Sequence, residues 1–156
     1  HARWVSAARV VAVLTGVVGA CLACSSPSDD TFVLTQTDPS LVVHNQRGSG
    51  DDAEIEGYLR FLDHARCFVL ESALTDDSQI RHVPVWPSGA QPIREGDAVV
   101  GVLVPDVGEF RVGDWVSGGG GYVSPGTSDQ ELPDMPADCL SGGGEFARFD
   151  VIETGG

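Results

Sequence analysis

Residues 82–121, HVPVWPSGAQPIREGDAVVGVLVPDVGEFRVGDWVSGGGG, set short β-branched runs between Gly, Pro and Asp at close intervals. That punctuation belongs to a β-meander. Val83, Val85 and Trp86 stop at Pro87, and Ser88-Gly89 supplies a turn. Residues 98–104 form a strong strand candidate ended by Pro105-Asp106. Residues 109–112 and 115–117 flank Gly113-Asp114, which offers positive φ at low cost. A ribbon of this kind hides its apolar side only by packing or closing on other strands, so the flanking sequence has to supply them.

It does so on both sides. Residues 54–62 (EIEGYLRFL) alternate strictly, with Ile55, Gly57, Leu59 and Phe61 on one face and Glu54, Glu56, Tyr58 and Arg60 on the other, the pattern of a half-buried strand. Residues 63–66 make a turn, and residues 67–71 return with Phe68 and Leu70 facing opposite to Cys67 and Val69. Beyond the glycine run 118–121 comes a Pro-, Asp- and Ser-rich excursion to Asp138 with few apolar residues, then Cys139, a second glycine run, and a last strand over 146–153. The glycine runs read as tight bends of a small barrel. Strands at 54–62, 67–71, 82–86, 98–104, 109–117 and 146–153 are too short to stand as an open sheet with bare edges. Closure removes those edges. The expected fold is therefore all-β, a small closed or partly open barrel of five to six strands spanning 53–156.

The chain of 156 residues with 42% hydrophobic content suits one domain. Its positive charge is nine Arg and no Lys against 23 acids, a net charge of −14. No basic stripe exists to release counterions from phosphates, so nucleic acid is disfavoured as a partner. Arg3 and Arg9 precede an uncharged run over 10–23 that ends in small residues beside Cys21 and Cys24. These are the three parts of a secretory leader, with an apolar run short of the ~20 residues that span a membrane. Val18-Gly19-Ala20-Cys21 resembles a lipobox, so a helical leader peptide over 1–20 and lipid attachment at Cys21, with Cys24 as the alternative, are expected. That places the domain outside the cytoplasm, anchored to the outer leaflet of the cell membrane. Residues 25–52 turn to Ser, Asp, Thr, Pro and Gly, interrupted by two apolar triplets, and read as part of a flexible tether over 21–52. Cys67 and Cys139 are the only cysteines in the expected domain, and export favours a disulfide between them, with two buried thiols as the alternative.

The order EIEGYLRF, CFVL, PVWPSG, VGDWV, a glycine run and a late Cys139 resembles uncharacterised small secreted lipoproteins of high-GC Gram-positive bacteria, over about residues 53–153. The resemblance implies an OB-like β-barrel and carries no activity, substrate or catalytic residue.

Motifs for chemistry are scarce. The sequence contains no His-Glu-x-x-His, Walker loop, dinucleotide fingerprint or Gly-x-Ser-x-Gly elbow, and its histidines are scattered at 1, 44, 64 and 82. His1 and His44 lie outside the expected domain, and His64 and His82 read as loop and strand-start residues that an Asp could meet in space. The Asp pairs lack the spacing of a calcium loop. No catalytic residue, metal or cofactor is assigned. Trp86, Trp115 and Tyr122 are the candidate binding surface, Trp86 and Trp115 weighed against core roles. Two function classes follow: a noncatalytic binding or structural module at the cell envelope, with an envelope protein or ligand as partner, and a hydrolase using carboxylates or a histidine with a carboxylate. The long acidic loop 124–138 points to cationic or weakly polar partners at one mouth of the barrel.

Overall fold

The computed structural model describes residues 31–45, 53–72, 80–126 and 131–154, so the expected leader, Cys21 and Cys24 lie outside the described residues. The described residues form β1 (Phe32–Thr37), β2 (Ser40–His44), β3 (Ala53–Leu62), β4 (Cys67–Glu71), β5 (Arg81–Pro87), β6 (Gln91–Glu95), β7 (Ala98–Val104), β8 (Gly108–Arg111), β9 (Trp115–Val123), a 3-10 turn (Ala137–Leu140) and β10 (Phe146–Glu153).

Five of these strands make a ring. β3 pairs antiparallel with β4 and β9, β9 pairs antiparallel with β10, β10 runs parallel to β5, and β5 returns to β4 through Leu70–His82 and Glu71–Arg81. Counted along the chain, the ring strands neighbour one another in the order one, two, three, five, four and back to one, which is the OB order. The fold is thus the expected all-β, partly open barrel. The gap lies along the β4–β5 seam, and β2 enters it, running parallel to β5 from Val42–Val85 to His44–Pro87 and meeting β4 at Ser40–Cys67. β1 folds back on β2 and ends the sheet.

Between β5 and β9 the chain makes a second, three-stranded antiparallel sheet, β6-β7-β8. It lays Val99, Val102, Val104 and Phe110 against the barrel cluster of Leu59, Phe68, Trp86, Val116 and Phe149. A second cluster on the other face of β2, β4 and β5 gathers Phe32, Val42, Cys67, Val69, Val83, Val85, Cys139 and Phe146. These three strands are buried on both faces, which explains why LVV and CFVL are unbroken apolar runs rather than alternating ones. The expected disulfide joins Cys67 to Cys139 across the second cluster, with both residues fully buried.

Three expectations are corrected, and one segment gains contacts that the sequence does not announce. Residues 32–44, read as tether, are a hairpin built into the barrel: Phe32, Leu41, Val42 and Val43 are all buried, and His44 with them. The remaining tether residues, 21–30 and 46–52, lie outside the described residues. The glycine run 118–121 is not a bend but the middle of β9. A bulge between Phe149 and Val151 brings β10 so close that a Cβ on Gly118 would collide with the Val151 carbonyl, and one on Gly120 with the Arg148 carbonyl. Gly113-Asp114 does not close a hairpin, because β8 pairs with β7 while β9 pairs with β3 and β10; it carries the chain from one sheet to the other. Finally, the excursion after β9 is partly docked, with Leu132 and Met135 packed on the second cluster.

Candidate functional site

The turn between sheets sets the position of Trp115. Gly113 takes a φ of 98°, and its N–H donates to the Leu59 carbonyl at 2.7 Å while the Leu59 N–H donates to the Asp114 carbonyl at 2.9 Å. The Asp114 carboxylate accepts the Arg111 backbone N–H at 2.7 Å, a local side-chain bond that fixes the turn. With both ends held, the first residue of β9 points outward opposite Tyr58, the two rings edge to face at 4.8 Å. Trp115 keeps 43% of its surface exposed.

Beside it a cleft of about 590 Å³ opens between β8 and the outer face of β9 and β10. Its lining is Glu109, Phe110, Asp114, Trp115, Ser117, Glu153 and Thr154. Three carboxylates thus face a tryptophan with no basic residue in the lining. Each carboxylate has a surface partner: Glu153 accepts the Ser117 hydroxyl at 3.1 Å, Asp114 caps its turn, and Glu109 lies 3.4 Å from an Arg111 guanidinium that holds Glu95 at 2.7 Å. Exposed pairs of this kind leave most of the negative field in place. No group of three His, Cys, Asp or Glu among the described residues could hold a metal ion.

The three aromatic candidates do not share a surface. Trp86 is fully buried and stacks on Phe149 at 5.6 Å, so its place in a binding surface is withdrawn. Its indole N–H finds no acceptor among the described residues. Tyr122 is half-exposed but sits seven residues along β9 from Trp115, about 23 Å at the rise of an extended strand. It packs on His82 at 4.9 Å and reaches the Glu54 carbonyl at 3.4 Å, and burial raises its phenol pKa.

That end of β9 is also where a histidine, a hydroxyl and a carboxylate converge. Ser124 donates to the Glu145 carboxylate, and His82 Nδ1 accepts the Glu145 backbone N–H at 3.0 Å. In that arrangement Nδ1 is committed as an acceptor and the neutral ring carries its proton on Nε2. The serine proton goes to the carboxylate rather than to the imidazole, so the arrangement is not the Ser–His pairing of a catalytic triad. Burial lowers the His82 pKa. His64 does meet an aspartate, Asp138 at 2.7 Å, yet both side chains remain mostly exposed, as a surface pair does.

Two buried charged pairs were not foreseen. Arg148 forks onto Asp150, two residues on along β10, at 3.0 and 3.2 Å, beside His44, which donates to the Phe149 carbonyl at 2.5 Å. Glu71, almost fully buried, takes Arg81 Nε at 3.0 Å across the β4–β5 seam. The i, i+2 spacing of Arg148 and Asp150 on a strand was the available signal for the first; nothing local announced the second. No helix among the described residues is long and apolar enough to cross a membrane. Comparison with family models, curated proteins and solved structures finds no match to the chain.

Proposed function

We propose that the chain is a lipid-anchored extracytoplasmic protein whose small barrel is a noncatalytic binding module at the cell envelope, with the Trp115 cleft as its working face. The address rests on the leader pattern and on Cys21 or Cys24 behind it. The working face rests on one observation above the others: a concave cleft with an exposed tryptophan, in which every lining carboxylate is engaged by a turn amide, a hydroxyl or a guanidinium. Such a site has shape and charge to hold a partner, and its Ser117–Glu153 hydrogen bond has no histidine in the lining beside it.

The competing hydrolase reading is favoured by the convergence of His82, Ser124 and Glu145, in which Ser124 donates to the carboxylate and His82 accepts the Glu145 backbone N–H. The discriminating experiment has two arms. Mass spectrometry of the membrane fraction is expected to find diacylglycerol on Cys21 or Cys24. Chromogenic ester and amide substrates are expected to show no turnover that His82→Ala or Glu145→Gln removes. A soluble product with both thiols free would refute the anchor, and turnover abolished by either substitution would replace the module with an enzyme.

A further inference from the structure

Past the cleft the outward positions of β9 are small, Ser117 and Gly119, so a shallow furrow is left between the longer outward side chains of β3 and β10. On the β3 side the register sets Glu56 opposite Ser117 and Glu54 opposite Gly119, and on the β10 side it sets Glu153 opposite Ser117 and the exposed Val151 opposite Gly119. All three glutamates are exposed. The floor between them is low: a Cβ on Gly119 would meet nothing nearer than 4.0 Å. At the cleft end, Trp115 against Tyr58 closes the furrow with an aromatic wall.

The geometry points to this furrow as the seat of an extended polypeptide that carries arginine or lysine at alternate positions. The inference rests on the binding-module reading and names the ligand class of the same site. Outward residues on a strand recur every ~6.7 Å, so Glu54 and Glu56 stand one such step apart. An extended ligand lying along β9 repeats at the same interval, which brings successive cations to Glu54 and to the Glu56–Glu153 pair in step. The next cation toward the cleft reaches the open part of the Trp115 ring, where its methylene stem packs and its charge faces the π-cloud. Glycine at 119 lets the ligand backbone approach, and no three acids gather closely enough for a metal ion to take the same place.

The test separates this furrow from the general attraction of an acidic protein for any cation. The full chain is titrated calorimetrically with an acetylated and amidated Arg-Ser-Arg-Ser-Arg-Ser peptide and with its block isomer Arg-Arg-Arg-Ser-Ser-Ser. The alternating peptide is expected to bind more tightly. Glu56→Gln with Glu153→Gln is expected to weaken it roughly tenfold, and Trp115→Ala roughly two- to fivefold. Glu131→Gln with Asp134→Asn changes net charge equally at exposed positions away from the furrow and is expected to leave affinity within about twofold. All these side chains are exposed or on the rim, and unchanged thermal midpoints would show that folding is intact. Equal weakening by the two double variants, or equal affinity for the two peptides, overturns the inference. Absence of binding by either peptide overturns the ligand class, whereas the noncatalytic-module reading is decided separately by the turnover test above.

Discussion

The two flanks of the barrel are closed by opposite means. On the β3-β9-β10 side, backbone lies against backbone: glycines remove the side chains that the bulged β10 would strike, and the outer surface is left low, acidic and aromatic at one end. On the β4-β2-β5 side, side chains fill both faces, an Arg81–Glu71 pair bridges the seam, and the Cys67–Cys139 bond ties the 3-10 turn beneath it. The first flank gains small outward positions at Ser117 and Gly119, between exposed side chains, that a ligand can approach. The second gains stability, and it does so with a hairpin brought in from outside the five-stranded ring.

The heaviest blow to that contrast is removal of the hairpin. A chain beginning at Ala53 lacks Phe32, Leu41, Val42 and Val43, all buried. At ~1.5–3 kcal/mol for each apolar side chain, the loss is about 6 kcal/mol or more, comparable to the whole margin of a small domain. The truncated chain is expected to show no cooperative urea transition; a transition with an unchanged midpoint would mean that the ring closes without β2.

Next in size is the disulfide, which closes a loop of 72 residues. Cys67→Ser with Cys139→Ser is expected to lower stability by about 4 kcal/mol in urea. Intact mass with and without reductant checks the bond itself, and two free thiols in the native protein would remove it.

The glycine flank supplies its own internal control. Gly120→Ala drives a Cβ into the Arg148 carbonyl and is expected to cost about 3 kcal/mol, whereas Gly119→Ala, one residue away and facing outward, should fall within ~0.5 kcal/mol. Equal costs would show that the close approach of β9 and β10 is not what the glycines serve.

The smallest effect is on acid stability. Burial lowers the pKa of both His44, on the hairpin, and His82, at the start of β5, below the ordinary 6.5. The fold therefore favours the neutral rings. Stability is fully present above pH 6.5 and declines as the pH falls below it, where the unfolded chain takes up protons first. The slope is at most about 1.4 kcal/mol per pH unit for each histidine. Urea midpoints compared at pH 7.5 and 5.5 should fall at the lower pH, and His44→Gln should flatten the difference. A midpoint independent of pH would place both rings in solvent-like surroundings.

What could be read beforehand divides along the same line. Strands with a one-sided alternation, such as β3, declared their bounds and facing, and β4 and β7 were recognised as apolar runs ended by turns. β2 was missed because Leu41-Val42-Val43 sits among Ser, Asp, Thr and Pro, and composition spoke for a tether; the triplet is unbroken because both its faces are covered. β6, QPIRE, is half-exposed and reads as a loop. The glycine run reads as tight bends, whereas its place is the middle of β9 against the bulge of a strand more than twenty-five residues later, which no local pattern reveals. Trp115 was identified as a surface candidate, but its separation from Trp86 and Tyr122, and the acids around it, depend on the sheet-to-sheet turn and the pairing of β9.

The face itself is best examined by mapping amide chemical shifts of the isotopically labelled chain while the Arg-Ser-Arg-Ser-Arg-Ser peptide is added. Changes should gather at Glu54, Glu56, Tyr58, residues 115–119 and Glu153, with the Trp115 indole resonance moving and that of buried Trp86 unmoved. Changes centred on the His82–Tyr122 end or on residues 131–140, or spread evenly over the acidic surface, would contradict the assignment of the Trp115 flank as the working face.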